Sequence, residues 1–198
     1  MFKQPALLKA HSFLRWFGRP SQSEAEASAE ALPAEREDAK SHFEWGQRFE
    51  KGQDVSQDDA RAAEHYLKAA VQGHTAAQFN LGLMYGRGRG VSRSGASAQQ
   101  WLRQAADQGH PGAQYHLGVH LYQDSKRLPQ AQASEARIEG YKFVQLAVQQ
   151  RFRGADSALE FIALGMTRQE VQEGGRRAAR FTEGPAIPVE PLPGPPAV

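Results

Sequence analysis

The chain has 198 residues, of which 40% are hydrophobic, 23% charged and 9% aromatic, with a net charge of +2 and no cysteine. That length fits one ordinary domain or one short solenoid, and the missing thiols exclude disulfides and any thiolate metal site. Charge falls in blocks, +4 over residues 1–20, −4 over 21–40, +4 over 41–153 and −2 over 154–198, so no sustained cationic stripe marks a nucleic-acid surface.

No run of roughly 18 apolar residues is present, which leaves no candidate for a spanning helix. Near the N-terminus, PALLKAHSFLRWF is broken by Lys9, His11, Ser12 and Arg15. It lacks the continuous apolar centre of about seven residues that a secretion signal needs. These features read as a cytoplasmic protein. Ala10, Phe13, Leu14 and Phe17 nonetheless follow helical spacing within 5–17. As the basic segment 1–20, this is a loose tail or a cover for the first repeat. A sharper reading makes Lys3, Lys9, Arg15 and Arg19 a peripheral membrane anchor. A cleaved mitochondrial leader has only two arginines in its favour.

Gly18-Arg19-Pro20 closes that element. Residues 21–35 are rich in Ala, Glu and Ser, with little to bury, and read as a linker. Helices are then expected near 36–51, 57–72, 75–86, 94–108, 112–124 and 134–150, with a shorter one near 155–164. Ser56 with Asp59 resembles a capping box, as does Thr167 with Glu170 before a last helix near 168–181. Gly174-Gly175 is expected to weaken or bend that helix, and Arg176, Arg177 and Arg180 to favour its C-terminal dipole. Residues 182–198 hold six prolines and read as a disordered tail with polyproline character.

The helices are paired by an internal repeat. Gly46, Gly82 and Gly118 are spaced by 36, preceded by Trp45, Leu81 and Leu117. Phe43, Phe79 and Tyr115 form a second ladder, Ala69-Ala70 maps on Ala105-Ala106, and Gly73-His74 on Gly109-His110. A fixed period of this size means a helical array in which each pair buries its apolar face against the next. The repeats span about 39–74, 75–110 and 111–153, the third with an insertion around Pro129. A partial repeat and terminal helix occupy 154–181, closing a solenoid over 36–181.

The second repeat carries Ala77, Phe79, Leu81, Gly82, Tyr85, Gly88, Gly90, Val91, Ala98, Trp101, Ala105, Ala106 and Gly109. This pattern resembles the Sel-1-like repeat family of bacteria, relatives of the tetratricopeptide repeat. The first repeat departs at Trp45. The third departs at Leu121, in its turn, and at Arg151. The resemblance implies an all-α fold, a right-handed superhelical solenoid of antiparallel helix pairs with disordered flanks. It also implies that the first helix of each pair lines the concave side.

Motif-like features have plainer explanations. Gly86 to Gly90 lacks the preceding strand of a dinucleotide fingerprint, and Gly52 with Val55 marks it as the repeat's turn. His116, His120 and Asp124 spread over about 12 Å of helix, too far for one ion, so no metal, cofactor or catalytic residue is assigned. His74 and His110 occupy equivalent loop positions and read as repeat ancestry.

The candidate site is the inner face. Residues one before and two after the Leu position are Glu44 and Gln47, Asn80 and Leu83, His116 and Val119, with Lys51, Arg87 and Gln123 one turn further. A mixed polar groove with a cationic lip suits a peptide or helix of a partner protein. The expected function is a non-enzymatic adaptor or scaffold. The alternatives are a membrane-associated adaptor held by residues 1–20, and a hydrolase. β-Lactam hydrolysis has been credited to a cysteine-rich subgroup of the family, which this chain does not match.

Overall fold

Several helix starts among the described residues are set by polar side chains, and two helix ends by glycine in the left-handed region. The computed structural model describes residues 38–183. The expectations for 1–20, for the linker 21–35 and for the tail beyond Glu183 lie outside the described residues. Eight helices occupy the described region: α1 (Ala39–Lys51), α2 (Asp59–Val71), α3 (Thr75–Arg87), α4 (Gly95–Asp107), α5 (Pro111–Ser125), α6 (Gln130–Gln149), α7 (Ala155–Leu164) and α8 (Arg168–Glu183).

Each start has a chemical cause. Asp38 accepts the Ser41 amide at 2.7 Å, satisfying one orphan donor of the first turn of α1. In α2 the cap is Asp58, which accepts the amides of Ala60 at 2.9 Å and Arg61 at 3.0 Å. The expected Ser56–Asp59 box does not form, because Asp59 pairs with Arg89 instead, at 3.2 Å. His74 and His110 are caps as well. Their Nδ1 atoms accept the amides of Ala77 and Ala113, each at 3.2 Å. Their rings stack on Phe43 of α1 and Phe79 of α3, both with centroids 4.4 Å apart. Ancestry is therefore not a sufficient account of these histidines; each joins one repeat to the next. α1 and α3 end on Gly52 and Gly88 in the left-handed region, where a β-carbon would clash.

The helices pack as antiparallel pairs, α1 on α2, α3 on α4 and α5 on α6, and the pairs stack through α2 on α3 and α4 on α5. The glycine ladder explains the closeness of each pair. A β-carbon on Gly46 would stand 2.6 Å from Tyr66, one on Gly82 2.9 Å from Leu102, and one on Gly118 2.6 Å from Val144. The facing residues are one equivalent position in three repeats. Around them Ala62, Ala69, Ala105, Ala113, Leu117 and Phe143 are fully buried. Each aromatic ring in that file removes roughly 150–250 Å² from water.

A buried glutamine ladder fastens the stack. The amide nitrogen of Gln78 donates to the Ala70 carbonyl at 3.1 Å, and its oxygen accepts from Gln108 at 2.7 Å. Gln114 repeats the arrangement with the Ala106 carbonyl at 3.2 Å and Gln150 at 2.8 Å. Burying an amide costs free energy unless its partners are in place, so the ladder fixes the register between repeats.

The third repeat and the terminal helix depart from the expected picture. α6 starts at Gln130, immediately after Pro129. Much of the insertion is therefore an extension of that helix rather than a loop up to 134. α8 does show its capping box, with the Thr167 amide on Glu170 at 2.8 Å and the Glu170 amide on Thr167 at 3.3 Å. It stays helical through Gly174-Gly175 and on through Thr182 and Glu183. Gly174 is a contact point rather than a weakness, since a β-carbon there would stand 2.7 Å from Tyr141. α8 packs along α6. Contacts advance in the same direction along both, Glu170 meeting Ser134 and Arg137, and Gly174 meeting Ile138 and Tyr141. Arg177 does more than favour a dipole. It bonds Glu135 at 2.5 Å and Glu173 at 3.0 Å, tying the helix to its neighbour.

Candidate protein-interaction face

The repeating positions of the first helices are spent on the core. Leu81 and Leu117 are buried, and Gly46, Gly82 and Gly118 lie against the second helices. What remains on these helices is the set that varies between repeats. Glu44 is exposed, and Asn80 and His116 are half-buried. Lys51, Arg87 and Gln123 are all exposed, and Gln47 is half-buried. Leu83 and Val119 are also half-buried, but each packs on a hydrophobic cluster, Leu83 on the one that holds Leu117 and Leu121, Val119 on the one that holds Tyr122 and Ile162.

Several of these side chains are tied to the scaffold. Asn80 hydrogen-bonds Tyr66, whose hydroxyl donates to Glu50 at 2.6 Å. Arg89 donates to the same carboxylate at 2.5 Å. The Gly-rich turn thus delivers an arginine back onto the first repeat, and burial together with Glu50 pushes the Tyr66 phenol well above its usual range. His116 lies 6.0 Å from the Phe79 ring and 5.2 Å from Tyr115. Burial lowers the pKa of His116, and its electrostatic interactions with His120 and the Arg87 guanidinium lower it further. The imidazole presents a flat polar surface beside the fixed positive charge of an exposed guanidinium. Glu44 has only a surface contact, with Lys40 at 3.9 Å.

The structure brings Arg87 and His116 within electrostatic reach of each other across adjacent repeats. A hollow of about 670 Å³ lies elsewhere, among α4, α5 and α6, and is lined by Arg103, Leu121, Gln132, Glu135 and Glu139. None of the nine candidate residues borders it. Its acidic groups are already held by Arg177 and Lys142. Among the described residues, no three His, Asp or Glu side chains converge to hold a metal ion. No helix among them is long and apolar enough to cross a membrane. The Asn80–Tyr66 and Arg89–Glu50 links escaped the sequence reading, because long-range polar pairs leave no local signal.

The model of the Sel1 repeat matches residues 39–74, 75–110 and 111–138. The chain belongs to the Sel1 repeat family. Among solved structures it is similar to a Sel1 repeat protein from Oxalobacter formigenes, at 30% identity and a TM-score of 0.50, over 63% of this chain and 89% of that one. It shares its fold with a protective antigen of uropathogenic Escherichia coli strains that displays an SLR fold. That match has 19% identity and a TM-score of 0.56, over 73% of this chain and 38% of the antigen. No curated protein matches the chain. Sel1 repeats are generally non-catalytic protein-interaction scaffolds, which makes another protein the expected partner class.

Proposed function

We propose that this Sel1 repeat protein is a non-enzymatic adaptor that holds a peptide or helix of a partner on the face formed by α1, α3 and α5. One observation carries the reading. Leu81, Leu117 and the repeating Gly46, Gly82 and Gly118 are buried, whereas the exposed or half-buried Glu44, Asn80 and His116, with Lys51, Arg87 and Gln123, differ from repeat to repeat. A shared scaffold with a varied surface is how repeat arrays acquire partner specificity. Two cationic side chains at the lip, Lys51 and Arg87, favour a partner segment with acidic residues.

The test is crosslinking and mass spectrometry on the intact chain. Crosslinks from a captured partner should concentrate on α1, α3 and α5. Crosslinks confined to α2, α4 and α6 would place the partner on the opposite side and end this proposal.

A further inference from the structure

The first repeat differs from the others at two positions that meet in space. His42 on α1 and His65 on α2 approach with their Nδ1 atoms 3.3 Å apart and their ring centroids 5.5 Å apart. Both are half-buried. The equivalent positions hold Gln78 and Trp101 in the second repeat, and Gln114 and Phe143 in the third. There the glutamine bonds the carbonyl of a preceding repeat. The first repeat has no repeat before it within the described residues, so that role falls away at position 42. The repeat fold therefore does not require a histidine at either place.

We propose that His42 and His65 form a binding site for a divalent transition-metal ion of the zinc or copper class, coordinated through both Nδ1 atoms. Two nitrogens each about 2.1 Å from a tetrahedral ion stand roughly 3.4 Å apart, and the observed separation is 3.3 Å. The rings come from two different helices, so the spacing is set by helix packing rather than by one flexible loop. Imidazole suits zinc, copper and nickel. In the metal-free pair, one Nδ1–H donates to the other Nδ1. On binding, the donor ring shifts its proton to Nε2, so that both Nδ1 lone pairs face the ion. Water or a side chain of a docked partner completes the coordination. Two imidazole nitrogens with no carboxylate ligand beside them disfavour calcium and magnesium, which take oxygen ligands.

Trp45 supplies a readout, since its ring lies 6.2 Å from His65. The untagged full chain is titrated with Cu²⁺ while tryptophan fluorescence is followed, and with Zn²⁺ in a calorimeter, in a non-chelating buffer. His42→Gln and His65→Phe place at each position a residue type the array already uses there, so both variants are expected to fold. The expected result is saturable single-site binding in the wild type, lost in each variant. Binding that is absent in the wild type overturns the proposal. So does binding unchanged by either substitution, or binding removed by changing His116 and His120 instead.

Discussion

Gly118→Ala isolates the feature that sets the spacing of the third helix pair. The added β-carbon would stand 2.6 Å from the Gly140 carbonyl oxygen, 2.6 Å from Val144 Cγ2 and 3.0 Å from the Val144 amide. Ordinary contact starts at 3.4 Å, so α5 and α6 must part by about 0.8 Å, the difference between 3.4 and 2.6. Backbone atoms cannot rotate aside, which places the overpacking near the upper end of about 1–3 kcal/mol. Alanine returns about 1 kcal/mol of helix propensity. The net loss is therefore about 2 kcal/mol, or a fall in Tm of roughly 4–8 °C for a body of this size. Gly175→Ala is the internal control. Its β-carbon would meet only Gln145 Oε1, at 3.6 Å, so the propensity gain stands alone and Tm should rise by roughly 1–3 °C. Thermal and urea unfolding followed by far-ultraviolet circular dichroism reads both. A Gly118→Ala protein as stable as the wild type would refute the close approach of α5 and α6.

Gly82→Leu should destabilise by about 3 kcal/mol, since even a β-carbon would stand 2.9 Å from Leu102; an unchanged melting temperature would contradict the α3–α4 pairing. Burial alone pushes the Glu170 carboxyl up, but hydrogen bonds from Arg137, Ser134 and the Thr167 amide bring its pKa down to about 2. Its folded pKa is thus below the unfolded value of 4.5, and its contribution of about 3 kcal/mol is present above pH 4.5 and lost as pH falls towards 2. Glu170→Gln should remove that part of the acid-unfolding curve; a curve of unchanged slope would refute the network. Burial also lowers the pKa of His110, and its Nδ1 must stay unprotonated to cap α5. Stability from this group is present above about pH 6.5 and declines as pH falls below it. His110→Asn, which keeps a cap acceptor, should flatten that decline, and a slope equal to the wild type would count against the cap.

The architecture was legible because it is written in local chemistry. Gly52, Gly109 and the Thr167–Glu170 box stand in the sequence as helix punctuation, and the structure places helix ends beside them. Choices between neighbouring groups were less legible. Asp58, Asp59 and Ser56 are all capable caps, and the selection depends on Arg89 drawing Asp59 away. The Gln78–Gln108, Gln114–Gln150 and Arg177–Glu135 bonds join residues 30, 36 and 42 positions apart, and no local pattern announces them. On the candidate face, exposure at Glu44, Lys51, Arg87 and Gln123 follows from helical periodicity. The half-burial of Leu83 and Val119 follows from neighbouring helices that periodicity does not describe.

Charge reversal on the candidate face tests the adaptor reading most directly. Glu44 and Arg87 are exposed, and Glu44 makes a 3.9 Å surface contact with Lys40. Asn80 is less suitable, because its bond to Tyr66 reaches the core. Glu44→Arg with Arg87→Glu should leave the circular-dichroism spectrum and melting temperature near those of the wild type, while affinity for the crosslinked partner falls at least tenfold, about 1.4 kcal/mol. Undiminished affinity in the folded double variant would contradict the account.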